Sequence, residues 1–386
     1  MAIFFTIFLL VYGSANFYVY VRAMQAFQFQ SLYAKLLFSA VFILAASSYI
    51  LAKSLFSNVS QQSRNLYDVF LWIGSFWFAF LLYFILSILV IDICILVNRF
   101  FPFLPQFLFQ DYAKTKLLTG LSILLLVFIT VTYGYFNANN IKLKTIQLSI
   151  PKKNSSLNSL NIFYFSDAHF TPVNNGRIAK KIIELSEQVK PDIILIGGDV
   201  VDDKSNHLKR IGIDEELRQL KAKYGVYTIN GNHEYIVGVN NADNFLNENN
   251  VKVLRDSIVT IENSVQIIGR EDGSIASFAH GKRKSIAELV ASARKDLPLI
   301  MLDHQPFHLA ESAAANVDLQ LSGHTHHGQM WPFNFLTKMI YDLSWGYKKI
   351  SNTHFYVSSG VGTWGPPVKI GNDAEVINFK LTFTEN

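Results

Sequence analysis

Two rules of hydrophobic patterning divide this chain near residue 140. Before it lie four long apolar stretches, residues 2–21, 36–56, 69–97 and 117–136. Roughly 20 apolar residues span a bilayer as a helix, so each stretch predicts a transmembrane helix. The third, "VFLWIGSFWFAFLLYFILSILVIDICILV", is long enough to tilt or to extend into the interface. Its only acid, Asp92, sits near one end and reads as an interfacial or helix-paired residue with no catalytic role. The first stretch lacks the basic start and small-residue cleavage site of a signal peptide, so a retained helix is expected. Residues 141–157 alternate polar and apolar, then turn Ser/Asn-rich, which predicts an edge strand and linker leading off the membrane.

From residue 158 onward the period changes. Short apolar runs ("LNIFYFSD", "DIILIGGD", "GVYTINGNH", "LPLIMLDH", "VDLQLSGHTH") alternate with amphipathic stretches over 176–190 and 206–224, which predict helices. Continuous apolar strands between helices indicate an α/β domain over 158–386, its strands buried on both faces.

Charge separates the same two parts. Residues 1–140 hold seven Lys/Arg and three acids, leaving 27 basic and 26 acidic residues of the totals 34 and 29 for the remainder. The net charge of +5 is therefore +4 before residue 141 and +1 after it. A nucleic-acid-binding surface is not expected; cations flanking apolar segments are a membrane pattern. An integral protein of the cell (inner) membrane follows. Four spans put both termini on one side, and the cations of the opposing loops nearly tie. The bare "MAIFF" start followed by Arg22 leans toward an outside N-terminus, hence an extracytoplasmic C-terminal domain. The lone Cys94 permits no intrachain disulfide.

All ten histidines lie after residue 160. Five strand-like runs end in metal-binding residue types: Asp167 and His169, Asp199, Asn232 and His233, Asp303 and His304, then His324, His326 and His327. Each has Gly, Ser or Pro beside it. In open α/β sheets the site lies beyond the carboxyl ends of the strands. One such Asp is usually a cap, and "GNH" alone is a common turn; five together are not coincidence. Carboxylates and an amide mixed with imidazoles, without thiolate, suit Mn, Fe or Zn. Seven ligands exceed one tetrahedral site but serve two ions if one carboxylate bridges.

The order D-x-H, G-D, G-N-H-E, an isolated His and G-H-x-H resembles the calcineurin-like metallophosphoesterase family over about residues 158–386. "GVYTINGNHEY", "LQLSGHTHHGQMWPF" and "SSGVGTWGPP" resemble its membrane-associated bacterial branch, which includes lipid-A-pathway and phosphodiesterase-like members. The resemblance implies a β-sandwich flanked by helices, refining the plain α/β reading. It implies one divalent metal ion on Asp167, His169, Asp199 and His326, and a second on Asp199, Asn232, His304 and His324, with Asp199 bridging. His233 would face the substrate, and Glu234 would orient His233 or cap the next helix. The implied reaction is hydrolysis of a phosphate mono- or diester by a metal-bridging hydroxide. His327 departs from the branch, which has Gly there, and is either a bystander at the rim or a group close to His326.

Four spans point to a phosphorylated substrate in or near the bilayer, such as a lipid-linked phosphate or pyrophosphate, and to contact with membrane lipids. A non-catalytic scaffold or sensor would be expected to lose ligands, and none is missing. A transporter would be expected to place ionisable residues within the spans, where few stand. His308 reads as a surface helix residue, and His207, His280 and His354 carry no motif. Trp331 and Trp364 read as core or rim packing, or as holding an apolar part of the substrate.

Overall fold

The computed structural model describes residues 2–56, 64–174 and 176–385, which fall into two units, Met1–Tyr135 and Phe136–Asn386. The apolar stretches form helices α1 (Ala2–Phe27), α2 (Leu32–Leu51), α3 (Arg64–Phe100) and α4 (Tyr112–Asn139). Among the described residues, four helical segments are long and apolar enough to cross a membrane: Thr6–Phe27, Leu32–Phe56, Asn65–Phe100 and Tyr112–Asn139. Many of their large side chains are exposed, including Leu10, Phe17, Leu37 and Leu125, which suits helices whose backbone is satisfied internally and whose outside meets lipid. Asp92 is helix-paired: the Arg22 guanidinium of α1 forms an ion pair with it, and the Tyr18 hydroxyl donates to it at 2.7 Å.

Among the described residues of the second unit, twelve strands form two six-stranded sheets. They are β1 (Lys142–Pro151), β2 (Ser159–Phe165), β3 (Ile193–Ile196), β4 (Val226–Thr228), β5 (Lys252–Val253), β6 (Ser257–Ile261), β7 (Val265–Gly269), β8 (Leu299–Leu302), β9 (Leu319–Ser322), β10 (Gly346–Ile350), β11 (Thr353–Val357) and β12 (Glu375–Thr384). One sheet runs β1-β12-β2-β3-β4-β5, the other β10-β11-β9-β8-β7-β6. Both are mixed. β2-β3-β4 and β7-β8-β9 are parallel, whereas β12 returns antiparallel to β2 and β6 antiparallel to β7.

Alternation along each parallel strand sorts side chains into layers. Ile162 and Tyr164 of β2, with Ile193 and Leu195 of β3, join Ile300 and Leu302 of β8 and Leu319 and Leu321 of β9 in one core between the sheets. The intervening Phe163, Phe165, Ile194 and Ile196 face a second core with Ile178, Ile182 and Ile183 of α5 (Arg177–Val189). On the other sheet, Leu299 and Met301 pack against Ile286 and Leu289. The result is a helix–sheet–sheet–helix sandwich. Strands buried on both sides read as continuous apolar runs for this reason. The stretch 206–224 forms two short helices, not one: α6 (Ser205–Arg210) and α7 (Ile213–Leu217). The break falls at Gly212, whose φ of 78° lies outside the right-handed helical region.

Candidate metal centre

Parallel strands in register must end at one edge, and that edge gathers the predicted residues. β2 leads into Asp167 and His169, β3 into Asp199, β4 into Asn232 and His233, β8 into His304, and β9 into His324 and His326. The backbone turns at once. Asp167, His169, Asp199, His324 and His326 all have positive φ, from 43° to 69°. Such a conformation costs a non-glycine residue about 1–2 kcal/mol, and strain of this kind clusters at functional sites. Backbone bonds from Asp167 N to Gly198 O and from His169 N to Asp199 O, both 3.0 Å, lock the first two turns together.

The side chains converge as three overlapping groups. Asp167, His169 and His326 each offer a donor atom within 4.8 Å of the others, so do Asp199, His304 and His324, and His169, Asp199 and His233 form a third group that shares a residue with each. His304 Nε2 lies 3.1 Å from Asp199 Oδ2. His326 Nε2 lies 3.0 Å from His169 Nε2 and 3.4 Å from Asp167 Oδ1. His324 Nδ1 is 2.9 Å from Asn232 Oδ1. Asp199, within 3.7 Å of His169 Nε2 as well, reaches the first two groups.

Tautomers decide what these contacts mean. His304 Nδ1 donates to the Gly197 carbonyl at 2.7 Å, so in the neutral ring Nε2 keeps its lone pair. That lone pair then faces a carboxylate oxygen, and the buried Nε2 has no hydrogen-bond partner. Two facing acceptors repel unless a positive charge lies between them. His169 reverses the arrangement: its Nε2 pairs with His326 Nε2 at 3.0 Å, while its buried Nδ1, 3.3 Å from Asp202 Oδ2, has no hydrogen-bond partner. Burial pushes the Asp199 carboxyl up, but His304 and His233 outweigh it and hold it well below the usual range. Burial likewise opposes charging His304, yet Asp199 and Asp167 raise its pKa well above 6.5. Burial, and then the neighbouring imidazoles, keep His326 neutral and pull His324 down to about 4. Neutral His324 and His326 beside an ionised Asp199 are in the donor states divalent cations require, whereas a cation would have to displace the proton from His304. Gly231 leaves the room: a Cβ there would collide with Asp199 Oδ1 and lie 2.6 Å from His304 Nε2. The residues present fit divalent metal.

His233, half-buried at the start of α8 (Asn232–Val237), belongs to the group with His169 and Asp199, its ring 4.5 Å from that of His169. Its Nδ1 bonds Asp202 Oδ1 at 2.6 Å. Burial disfavours the imidazolium, but Asp202 and then Asp199 raise its pKa to about 9. Asp202 was not singled out from sequence; "GDVVDD" offers two further acids, and only the fold shows which one bends back. Glu234 takes one of the two roles expected of it, capping the helix that starts at Asn232 through the Gly231 N–H at 2.8 Å, and it reaches further. Fully buried, its carboxylate accepts from the backbone N–H groups of Gly231, Asp199, Val200 and Val201 at 2.7–3.0 Å, tying the Asn232 turn to the Asp199 turn. Burial and the Asp199 charge push that carboxyl up to about 7, against those bonds.

Other candidates lie elsewhere. Asp303 points away from its neighbour His304 and pairs with Arg270 at 2.7 Å and Arg283 at 3.4 Å. His308 is exposed at the start of a helix. His327 is buried with Nδ1 3.0 Å from Ser344 Oγ and its ring beside Trp345, outside all three donor groups. Its φ of 46° is the conformation glycine adopts freely. Trp364 lies 6.5 Å from the His233 ring and is half exposed.

Residues 160–328 match the calcineurin-like phosphoesterase family. An uncharacterized metallophosphoesterase of Bacillus subtilis is 30% identical over 269 residues, covering 66% of this chain and 96% of that one. One from Campylobacter jejuni is 28% identical over 393 residues, 98% of each, so the similarity extends through the apolar N-terminal region. A transmembrane protein with metallophosphoesterase domain from Danio rerio is 27% identical over 67% of this chain and 61% of that one. The chain spans 51% to 61% of the length of several curated relatives it matches.

Proposed function

The chain belongs to the calcineurin-like metallophosphoesterase family, and from that premise we propose that it hydrolyses a phosphate ester at a binuclear metal site on a membrane-anchored domain. One observation carries this reading: the donor atoms of Asp167, His169 and His326 all lie within 4.8 Å of one another, and so do those of Asp199, His304 and His324. We assign one ion to Asp167, His169, Asp199 and His326, and the other to Asp199, Asn232, His304 and His324. When bound, two divalent ions (Mn, Fe or Zn) supply an activated water near neutral pH and Lewis-acid stabilisation of the phosphoryl oxygens. His233 is the chain's own catalytic residue in this reading. Asp202 fixes its Nδ1 and favours the imidazolium, so Nε2 carries a proton toward the substrate. That proton bonds a phosphoryl oxygen or passes to the departing oxygen. Asp202 and Glu234 are positioning residues, the first acting through His233 and the second through the Asp199 turn.

The four apolar helices favour a substrate that is itself lipid-linked, a mono- or diester or a pyrophosphate, because tethering raises effective concentration at a surface. We place the domain on the extracytoplasmic side of the inner membrane, which a reporter fused to the C-terminus would check. The presence of every ligand position in the motifs weighs against a scaffold or sensor. The test is hydrolysis of bis(p-nitrophenyl) phosphate by the full-length protein with Mn²⁺. Asp199→Ala should abolish it; wild-type activity in that variant would overturn the reading.

A further inference from the structure

The turn holding His324 and His326 carries a short helix, α9 (Phe333–Ile340), and none of its residues is buried. Met339 is 83% exposed, Phe335 56%, Ile340 53% and Leu336 52%. Trp331, just before the helix, is 48% exposed, and Trp364, from another loop, 53%. Solvent-exposed apolar side chains are normal singly, but clustered ones mark an interaction site.

This face adjoins the candidate metal centre. A Cβ at Gly328 would collide with the backbone of Phe333 and Asn334, so the helix rests directly on the His326–Gly328 turn. Tyr341, which ends the helix, places its ring 6.1 Å from that of His324. Trp364 flanks His233 at 6.5 Å. Whatever covers the apolar face therefore also borders the site.

Three observations choose the occupant. The domain is joined to an apolar helix that can cross a membrane, with two residues between Asn139 of α4 and Lys142 of β1, so a bilayer is always at hand. Tryptophan around an aliphatic and phenylalanine patch is the composition of a membrane interface. Over residues 329–352 the charged side chains are Lys338, Lys348, Lys349 and Asp342, a net charge of +2 that suits anionic headgroups.

We propose that α9, with Trp331 and Trp364, is a bilayer-docking surface that enters the headgroup–acyl boundary and presents the metal centre to phosphorylated headgroups there. The statement about substrate rests on the phosphoesterase reading above; the docking itself does not.

The test uses full-length protein in nanodiscs of phosphatidylcholine and phosphatidylglycerol with brominated acyl chains. In a Cys94→Ser background, Met339→Cys and Phe335→Cys are labelled with an environment-sensitive fluorophore. Lys221→Cys, exposed ahead of β4 at the sheet edge away from the site, is the control. Brominated lipid should quench the labels at 339 and 335 strongly and leave the label at 221 bright. Equal emission at all three positions would overturn the proposal. So would unquenched labels at 339 and 335 that cross-link between copies, which would make the face an interface between two chains. Hydrolysis of soluble bis(p-nitrophenyl) phosphate by the unlabelled protein is read separately. Its absence would count against the phosphoesterase reading while the quenching result stood.

Discussion

Gly231→Ala adds one methyl group where the two ions are proposed to sit. The backbone there, φ −103° and ψ −167°, is open to any residue, so the substitution carries no conformational penalty. It should even narrow the unfolded ensemble by about 0.4–1 kcal/mol. The cost is spatial. The new Cβ would overlap Asp199 Oδ1 and lie 2.6 Å from His304 Nε2, whereas comfortable carbon contacts begin near ~3.5 Å. Asp199 and His304 must therefore retreat by about 1 Å, a displacement that costs catalysis about 10²-fold. That is about 2.7 kcal/mol of transition-state stabilisation. Three measurements on the full-length protein separate this from misfolding: metal content by mass spectrometry, hydrolysis of bis(p-nitrophenyl) phosphate, and thermal unfolding. The expected outcome is a folded protein that still unfolds cooperatively, its Tm lowered by the overpacking and the lost metal, with metal and rate both depleted. A variant that kept its metal and a rate near wild type would refute the reasoning.

Three further substitutions probe the supports. Glu234→Gln leaves one oxygen to receive four N–H groups, so two lose their acceptor at about 1–3 kcal/mol each. A loss of about 3 kcal/mol should lower Tm by roughly 6–12 °C, and an unchanged Tm would rule out the tie between the two turns. Asp202→Asn removes the leading charge that raises His233 to about 9, leaving burial to act against the imidazolium. In metal-free protein, histidine NMR should show His233 titrating at lower pH. The stability that wild-type His233 contributes is complete below about 6.5, the ordinary value of a histidine, and lost as pH rises to about 9; the variant should lack that decline. His327→Gly relieves a positive φ at the cost of a bond to Ser344. Metal content and rate should survive, and loss of either would bring His327 into the centre.

Much of the site was legible because ligand types at strand ends are a local pattern. "FSDAH", "GGD", "GNHE", "LDH" and "GHTHH" each close an apolar run, and parallel register carries their ends to one edge. The sandwich was less legible. Nothing in "VQIIG" or "EVINFKLTFT" says which sheet it joins, and the antiparallel returns of β6 and β12 depend on long-range pairing. Asp303 and His304 show the limit of adjacency: neighbouring side chains leave a strand on opposite sides, so one reaches the centre and the other meets Arg270. Asp202 and Glu234 act through contacts about 30 residues away in sequence, with no periodicity to reveal them. The apolar exposure of "FNFLTKMI" was equally hidden, since the same spacing would serve a helix packed into a core.

The central claim is that seven side chains hold two ions through a shared Asp199. Metal stoichiometry of full-length wild-type protein and of Asp199→Asn, measured beside the rate, tests it most directly. The account predicts two divalent ions per wild-type chain, with loss of metal and of bis(p-nitrophenyl) phosphate hydrolysis together in the variant. A variant that retained both ions and its activity would contradict it.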